Sequence, residues 1–400
     1  MSKRPGKEFA LAAAVAGWAV VALLSGLLTL VRAPSRIFLK LKVVATEYGY
    51  LLAAFYALSV PLVRLAGSSG QHRTACTASL LAGATLAVVP TARGAAFARR
   101  LPPMLDEAFG PRAVCQGPPA KPFRIRRLAR FRPGPSSTAE RVVFARTPEY
   151  RLEFDLYRPR RGRPGGAPCV VVVHGGKWTA GNSREFAALN PYLARRGYVV
   201  VGVNYRKAGR HPFPAARNDL RAAVDYLKRN ATEIGADPER IALLGRSAGG
   251  QLALLVAYDR GDPAIRGVVS FYAPTDLRYA YGDPTNPRVI DHEAALEVYL
   301  GGGPGSSGEA YDAASPIEFV SPWCPPTLLL HGAHDELVHA VQGDRLAARL
   351  RDAGVPHLYL RLPWATHGFD HNLAGPGGQV STYAVEKFLK KVLGDPGVPR

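Results

Sequence analysis

The residues with the clearest chemical potential are Gly245-Arg246-Ser247-Ala248-Gly249, a Gly-x-Ser-x-Gly step between an apolar run, Ile241–Leu244, and a helix-compatible run, Leu252–Ala257. A serine on such a strand–turn–helix step is held in a tight turn with its hydroxyl presented outward. The N–H of Ala248 then lies at a helix start, where developing negative charge is favoured. A serine alkoxide needs a base, and the base needs an orienting carboxylate. Two further loops supply these types: Gly332-Ala333-His334-Asp335-Glu336 after the apolar run 326–331, and His367-Gly368-Phe369 after Leu358–Leu362. The chemistry these residues could perform is nucleophilic acyl transfer, with Ser247 as nucleophile, His367 as base and acid, and Asp335 as the orienting carboxylate.

An oxyanion formed on this serine needs main-chain donors. The run Cys169–Val173 ends in His174-Gly175-Gly176-Lys177-Trp178, and a glycine pair just past a buried strand frees N–H groups to face a cavity. Gly175, Gly176 and Ala248 are therefore the candidate oxyanion donors, and Lys177, Trp178 and Arg246 the candidate substrate contacts. Competing residues stand close by: His334, His339 and His371 for the base, Glu336 and Asp344 for the acid. His331 reads as a residue bonded to backbone beneath the site. Strand-end position favours Asp335 and His367 over these, because open parallel sheets place chemistry at strand C-termini. Lys177 and Arg246 would raise the local positive potential, which predicts a preference for anionic or phosphorylated esters, or further oxyanion stabilisation.

The elements that must position these residues follow from the pattern. Arg141–Phe144 and Tyr150–Tyr157 predict an antiparallel hairpin. Cys169–Val173 predicts a strand buried on both faces. A helix over Ser183–Arg196 precedes a strand over Tyr198–Tyr205. The spacing of Leu220, Val224 and Leu227 marks a helix within Asn218–Lys228, and another strand is predicted over Gly267–Tyr272. This alternation predicts an α/β fold with a mostly parallel sheet and helices on both faces. Residues 275–322 break the alternation and read as an insertion able to cover the site.

The first hundred residues differ in kind. Phe9–Val31 carries no charge over a length sufficient to cross a bilayer. Val43–Ala66 is a second candidate span and Ala75–Val89 a shorter third, closed by Pro90. The domain reading is a membrane-spanning helical region of two to three helices over 1–100, a basic Pro/Gly-rich linker over 101–140, and a catalytic domain over 141–394. The net charge of +20 is concentrated in part at Arg99, Arg100, Lys121, Arg124, Arg126, Arg127, Arg130 and Arg132. Basic residues beside apolar spans point to anionic lipid head groups, and positive-inside places the catalytic part on the cytoplasmic side of a bacterial cell membrane. No nucleic-acid motif occurs. The four cysteines match no metal, redox or disulfide spacing, so neither a metal nor a cofactor is expected.

Taken together, His174-Gly175-Gly176-Lys177-Trp178, Gly245-Arg246-Ser247-Ala248-Gly249-Gly250, His331-Gly332-Ala333-His334-Asp335 and His367-Gly368-Phe369 resemble the α/β-hydrolase superfamily. The resemblance is to the hormone-sensitive-lipase and acetyl-esterase branch, with the His-Gly-Gly-x-Trp motif of the prenylcysteine methylesterase, feruloyl esterase and kynurenine formamidase group. Asn204-Tyr205-Arg206 and His211-Pro212-Phe213-Pro214 are similar to sequences between those motifs. The order Ser…Asp…His is the one this fold uses. Lys177 stands where many relatives have a third glycine, and Arg246 where an acidic or amide residue is common. The resemblance covers about 141–393 and implies hydrolysis of small-molecule or lipid carboxylic esters through an acyl-enzyme. Two alternatives stand beside it: an amidase or formamidase with the same triad, and a non-catalytic binding protein on the same fold.

Overall fold

The computed structural model describes residues 5–65, 70–111, 121–129, 139–259, 261–283 and 285–396. Residues 112–120 and 130–138 of the Pro/Gly-rich segment, with Cys115, Arg130 and Arg132, lie outside them.

Eight strands form one sheet in the order β1-β2-β4-β3-β5-β6-β7-β8. In chain order these are β1 (Glu140–Arg146), β2 (Arg151–Tyr157), β3 (Ala167–Val173), β4 (Val199–Val203), β5 (Ala236–Arg246), β6 (Ile265–Phe271), β7 (Thr327–Gly332) and β8 (His357–Leu362). The hairpin β1–β2 and the pair β2–β4 are antiparallel; every pairing from β4 across to β8 is parallel. The parallel strands are apolar throughout because helices cover both faces: all seven residues of β3 and all five of β4 are buried. Two large clusters fill the space on either side, one around Val171, Leu243 and Leu252, the other around Val172, Leu244 and Phe388.

Four helices precede the sheet: α1 (Pro5–Leu27), α2 (Arg36–Glu47), α3 (Gly49–Leu65) and α4 (Gly70–Phe109). The rest are α5 (Ile125–Leu128), α6 (Leu189–Ala194), α7 (Ala215–Arg229), α8 (Ala231–Ile234), α9 (Ala248–Asp259), α10 (Leu277–Gly282), α11 (His292–Leu300), α12 (Pro304–Ala314), α13 (Val341–Asp352) and α14 (Pro376–Leu393). The predicted helix over Ser183–Arg196 shortens to α6, since 183–188 form turns. Helices α10, α11 and α12 occupy the interval between β6 and β7.

The N-terminal helices depart from three simple spans. Only α4 is by itself long and apolar enough to cross a membrane among the described residues. Helix α1 ends at Leu27, short of the predicted Val31, because the chain turns at 28–31 before Pro34. The predicted second span breaks at Tyr48, where α2 and α3 meet at 78°. The predicted third span is the first half of α4, which does not stop at Pro90 or at residue 100. Its second half instead joins the hydrophobic core: Ala98, Leu101 and Leu105 pack with Val170, Leu244 and Phe388, and Phe97 meets Trp364 edge-on at 5.7 Å. One helix thus belongs both to the apolar bundle and to the wall of the sheet.

Helices α1 and α4 approach closely where small residues face each other. A Cβ on Gly83 would meet the Ala22 carbonyl oxygen at 2.4 Å. Backbone contact through small residues is how helices pack where lipid removes the hydrophobic drive. The outer surface of this bundle is apolar. Apart from Ile125, Phe186, Val298 and Trp323, every exposed large hydrophobic side chain among the described residues lies between Val20 and Val88.

Candidate active site

The sheet brings the predicted residues to one edge. Ser247 follows β5, Gly175 and Gly176 follow β3, Asp335 follows β7 and His367 follows β8, all at C-terminal strand ends.

Ser247 has φ 53°, the left-handed conformation that an exposed nucleophile turn requires and a serine adopts only under constraint. Its N–H is fixed to the Phe271 carbonyl at 2.9 Å. The flanking glycines are dictated by space. A Cβ on Gly245 would lie 2.0 Å from the Gly249 carbonyl oxygen, and one on Gly249 would lie 2.3 Å from those of Val173 and His174. No other residue permits α9 to pack this tightly against β3 and β5.

His367 Nδ1 lies 2.7 Å from Asp335 Oδ2. The carboxylate is buried and fully engaged: its Oδ1 accepts the N–H groups of Leu337 and Val338, each at 2.9 Å, and Oδ2 lies 3.4 Å from His331 Nε2. Burial by itself pushes the Asp335 carboxyl up, but the charge and hydrogen bonds of His367 and His331 outweigh it and hold the group well below the usual carboxylate range. Asp335 is therefore ionised and accepts the Nδ1 proton, leaving the imidazole Nε2 with its lone pair. His331 also lies 2.9 Å from the Val338 carbonyl oxygen, beneath the site as expected.

On the opposite side of Ser247, the His174 ring fixes the glycine loop. Lys207 Nζ approaches His174 Nε2 at 2.9 Å, and the ring's Nδ1 lies 2.6 Å from the Gly175 carbonyl oxygen. Burial, with Lys207 adding to it, pushes the His174 imidazole down to about 3, so it is neutral and donates from Nδ1. Burial likewise lowers Lys207, to about 8. Because a trans peptide points its C=O and N–H in opposite directions, tying back the Gly175 carbonyl aims the Gly176 N–H the other way. Among the described residues, the N–H groups of Gly175, Gly176 and Ala248 donate to no loop or cap carbonyl.

Ser247, His367, Gly175, Gly176, Ala248, Lys177, Trp178 and Arg246 all line one cavity of about 370 Å³. Its size and mainly apolar lining suit a small organic ligand with few polar groups. The three candidate contacts differ in character. Lys177 is exposed. Trp178 is buried, stacks on Tyr299 at 4.1 Å, and donates its indole N–H to Gln251 Oε1 at 2.8 Å. Arg246 is also buried, with its Nε 2.5 Å from Asp370 Oδ2. Asp370 further accepts the Tyr272 hydroxyl at 2.5 Å, and the Tyr272 ring packs on His367 with centroids 4.2 Å apart. The charge expected from Arg246 is thus compensated internally, and of the two expected cations only Lys177 is exposed.

Three of the competing residues are paired elsewhere and His371 makes a ring contact. Glu336 binds Lys42, Asp344 binds Arg361, His339 binds Asp283, and His371 packs edge-on against Phe186. Sequence reasoning missed Gln251, Tyr272, Asp370, His292 and Arg36. Tyr272 follows β6 and shared the strand-end signal. His292, on α11, and Arg36, on α2, line the cavity from elements whose approach no local pattern announces. No cluster of metal-ligating side chains occurs among the described residues.

Comparison with known proteins agrees with this architecture. The family model BD-FAE matches residues 154–350. The Mycobacterium tuberculosis protein named Probable carboxylic ester hydrolase LipM is 32% identical over 60% of this chain and 58% of its own length. Carboxylesterase NlhH of the same organism is 37% identical over 56% of this chain and 74% of its own. The chain spans less than two thirds of the length of LipM and of Esterase LipQ, 58% and 59%. Among solved structures, an esterase of Pyrobaculum calidifontis superposes with a TM-score of 0.56 at 29% identity, covering 65% of this chain and 87% of that one. An esterase from Thermogutta terrifontis, at 24% identity and TM-score 0.55, shares the fold over 68% of this chain and 99% of its own. With the His-Gly-Gly loop, the serine turn and the strand-end His–Asp pair at one sheet edge, the chain belongs to the hormone-sensitive-lipase-like esterase family of the α/β-hydrolases.

Proposed function

We propose that this chain is a serine hydrolase of carboxylic esters, working through an acyl-enzyme and held to a membrane by its N-terminal helices. The observation that carries the catalytic reading is the 2.7 Å contact of buried Asp335 with His367, which lines the same cavity as Ser247. In the first half-reaction Ser247 Oγ adds to the ester carbonyl carbon while His367 Nε2 takes its proton. The carbonyl oxygen, now negative, is met by the N–H groups of Gly175, Gly176 and Ala248. The tetrahedral adduct collapses, His367 returns the proton to the leaving alkoxide, and an alcohol departs. Water then adds to the acyl-serine by the same route and releases the carboxylic acid. The relatives named as esterases and carboxylic ester hydrolases support ester substrates.

Helices α10, α11 and α12 serve as a cover over the cavity, a reading supported by His292 and Ala295 on its wall. The membrane reading rests on α4, on the bent α2–α3 pair and on the apolar exterior of the bundle. It extends to the whole of α1–α4 as a multi-pass anchor, with the basic residues of 99–132 setting the hydrolase on the cytoplasmic side. The test is labelling of the membrane fraction by a fluorophosphonate together with turnover of p-nitrophenyl esters. The wild-type chain is expected to label and turn over, and Ser247→Ala to do neither. Equal labelling of both would remove Ser247 from the mechanism.

A further inference from the structure

Helix α2 is built inside out. Its residues turned toward the protein include Lys42, Thr46 and Glu47, all buried. Its outward residues include Ile37, Phe38, Leu41 and Val44, of which Ile37 is 70% exposed. The spacing 37, 41, 44 is one helical stripe, so a continuous apolar ridge faces away from the protein. Water would favour the reverse arrangement. Lys42 is paired internally: its Nζ donates to Glu336 Oε1 at 2.5 Å and to the Val31 carbonyl at 2.7 Å, while Glu336 Oε2 accepts the Ala33 N–H at 2.6 Å. Glu336 is the residue after Asp335, so the clamp holds α2 directly beside the proposed acid loop.

The same helix forms the rim of the cavity. Arg36, its first residue, lines the cavity with Val289 and Leu337, and Ala33 and Leu39 pack on Val289. Val20 and Leu24 on α1 and Phe55 and Leu58 on α3 are exposed as well. A twelve-residue helix is about 18 Å long, too short to cross a bilayer. Its 78° angle to α3 is the angle between a helix lying along an interface and one entering it. Arg32, Arg36 and Lys40 lie at the same end of α2, where lipid phosphates would be.

We propose that α2 lies in the lipid interface with Ile37, Phe38, Leu41 and Val44 among the acyl chains, so that the cavity mouth opens at the bilayer surface and admits long-chain esters directly from the lipid. This inference rests on the ester-hydrolase reading above and names its substrate class: an ester whose long apolar chain partitions into the membrane.

The test uses the full chain in phosphatidylcholine vesicles with two probes, p-nitrophenyl acetate from solution and p-nitrophenyl palmitate dissolved in the bilayer. The combined variant Ile37→Ser, Phe38→Ser and Leu41→Ser should leave acetate turnover within about twofold and lower kcat/KM for palmitate by about tenfold or more. Equal losses on both esters, or no loss on palmitate, would overturn the proposal. A second measurement needs no turnover: the emission that Phe38→Trp adds to the wild-type spectrum should be quenched by brominated phosphatidylcholine. Absence of quenching would overturn the proposal whatever the kinetics. A wild-type chain inert toward both esters but with Phe38→Trp quenched would count against the hydrolase reading and leave the lipid contact standing.

Discussion

The Trp178 indole and the Tyr299 ring lie parallel, 4.1 Å apart and 2° from coplanar orientation, joining the glycine loop after β3 to helix α11 of the covering segment. Gln251 completes the junction. Its Oε1 accepts from Trp178 and Tyr299 at 2.8 and 3.3 Å, and its Nε2 donates to the Ala314 carbonyl at 2.6 Å. The segment proposed as a cover and the proposed oxyanion loop are therefore one packed unit. Trp178→Ala should cost about 3–5 kcal/mol of stability through the lost ring and the void it leaves. Urea denaturation of the detergent-solubilised chain checks this, with Tyr299→Leu as a milder comparison that keeps the indole.

Replacing Asp335 by Asn keeps the side-chain shape and an oxygen for the Leu337 and Val338 N–H groups. It removes the acceptor that holds the Nδ1 proton of His367, and the imidazole then presents the wrong nitrogen to Ser247. The expected loss in kcat is about 10⁴-fold with little change in KM. A loss below about tenfold would show that Asp335 does not orient the base.

His174 sets an acid limit on stability. Its folded value, about 3, lies below the usual 6.5, so the unfolded chain takes up a proton between these values that the folded chain refuses. The contribution is full above pH 6.5 and is lost as pH falls below it, by about 1.4 kcal/mol per pH unit. His292, whose imidazole burial and His339 also lower, acts in the same direction. Stability should therefore drop by roughly 2 kcal/mol from pH 7 to pH 5 through His174. His174→Gln should flatten that part of the slope, measured by urea midpoints at the two pH values.

Arg246 and Asp370 form a buried pair in which each compensates the other. Arg246→Met strands the Asp370 carboxylate with only the Tyr272 hydroxyl, at an expected cost of about 3–5 kcal/mol. The double change Arg246→Met with Asp370→Leu should recover much of it. A double-mutant cycle reads the coupling, and additive losses would contradict the pairing.

Much of the catalytic edge could be read before any coordinates. The apolar runs that become β3, β5, β7 and β8 each end in a chemically distinctive loop, and parallel strands carry such ends to the same side. The glycines of the serine turn were legible for the same reason: Gly245 and Gly249 are local requirements of a strand passing tightly into a helix. Helix existence in the N-terminal region was likewise written in its apolar runs.

What a residue meets across the fold was not legible. Nothing near Arg246 announces Asp370, 124 positions away, so its charge looked free when the structure shows it neutralised. Nothing near Lys42 announces Glu336, 294 positions away, and the segment 43–66 read as one straight span where the structure has two helices turned by 78°. Periodicity reports which side of an element is apolar; only the packed chain decides whether that side faces the core or the surroundings. Helix α2, with Lys42 and Glu47 inward and Ile37, Phe38, Leu41 and Val44 outward, was settled by that tertiary choice.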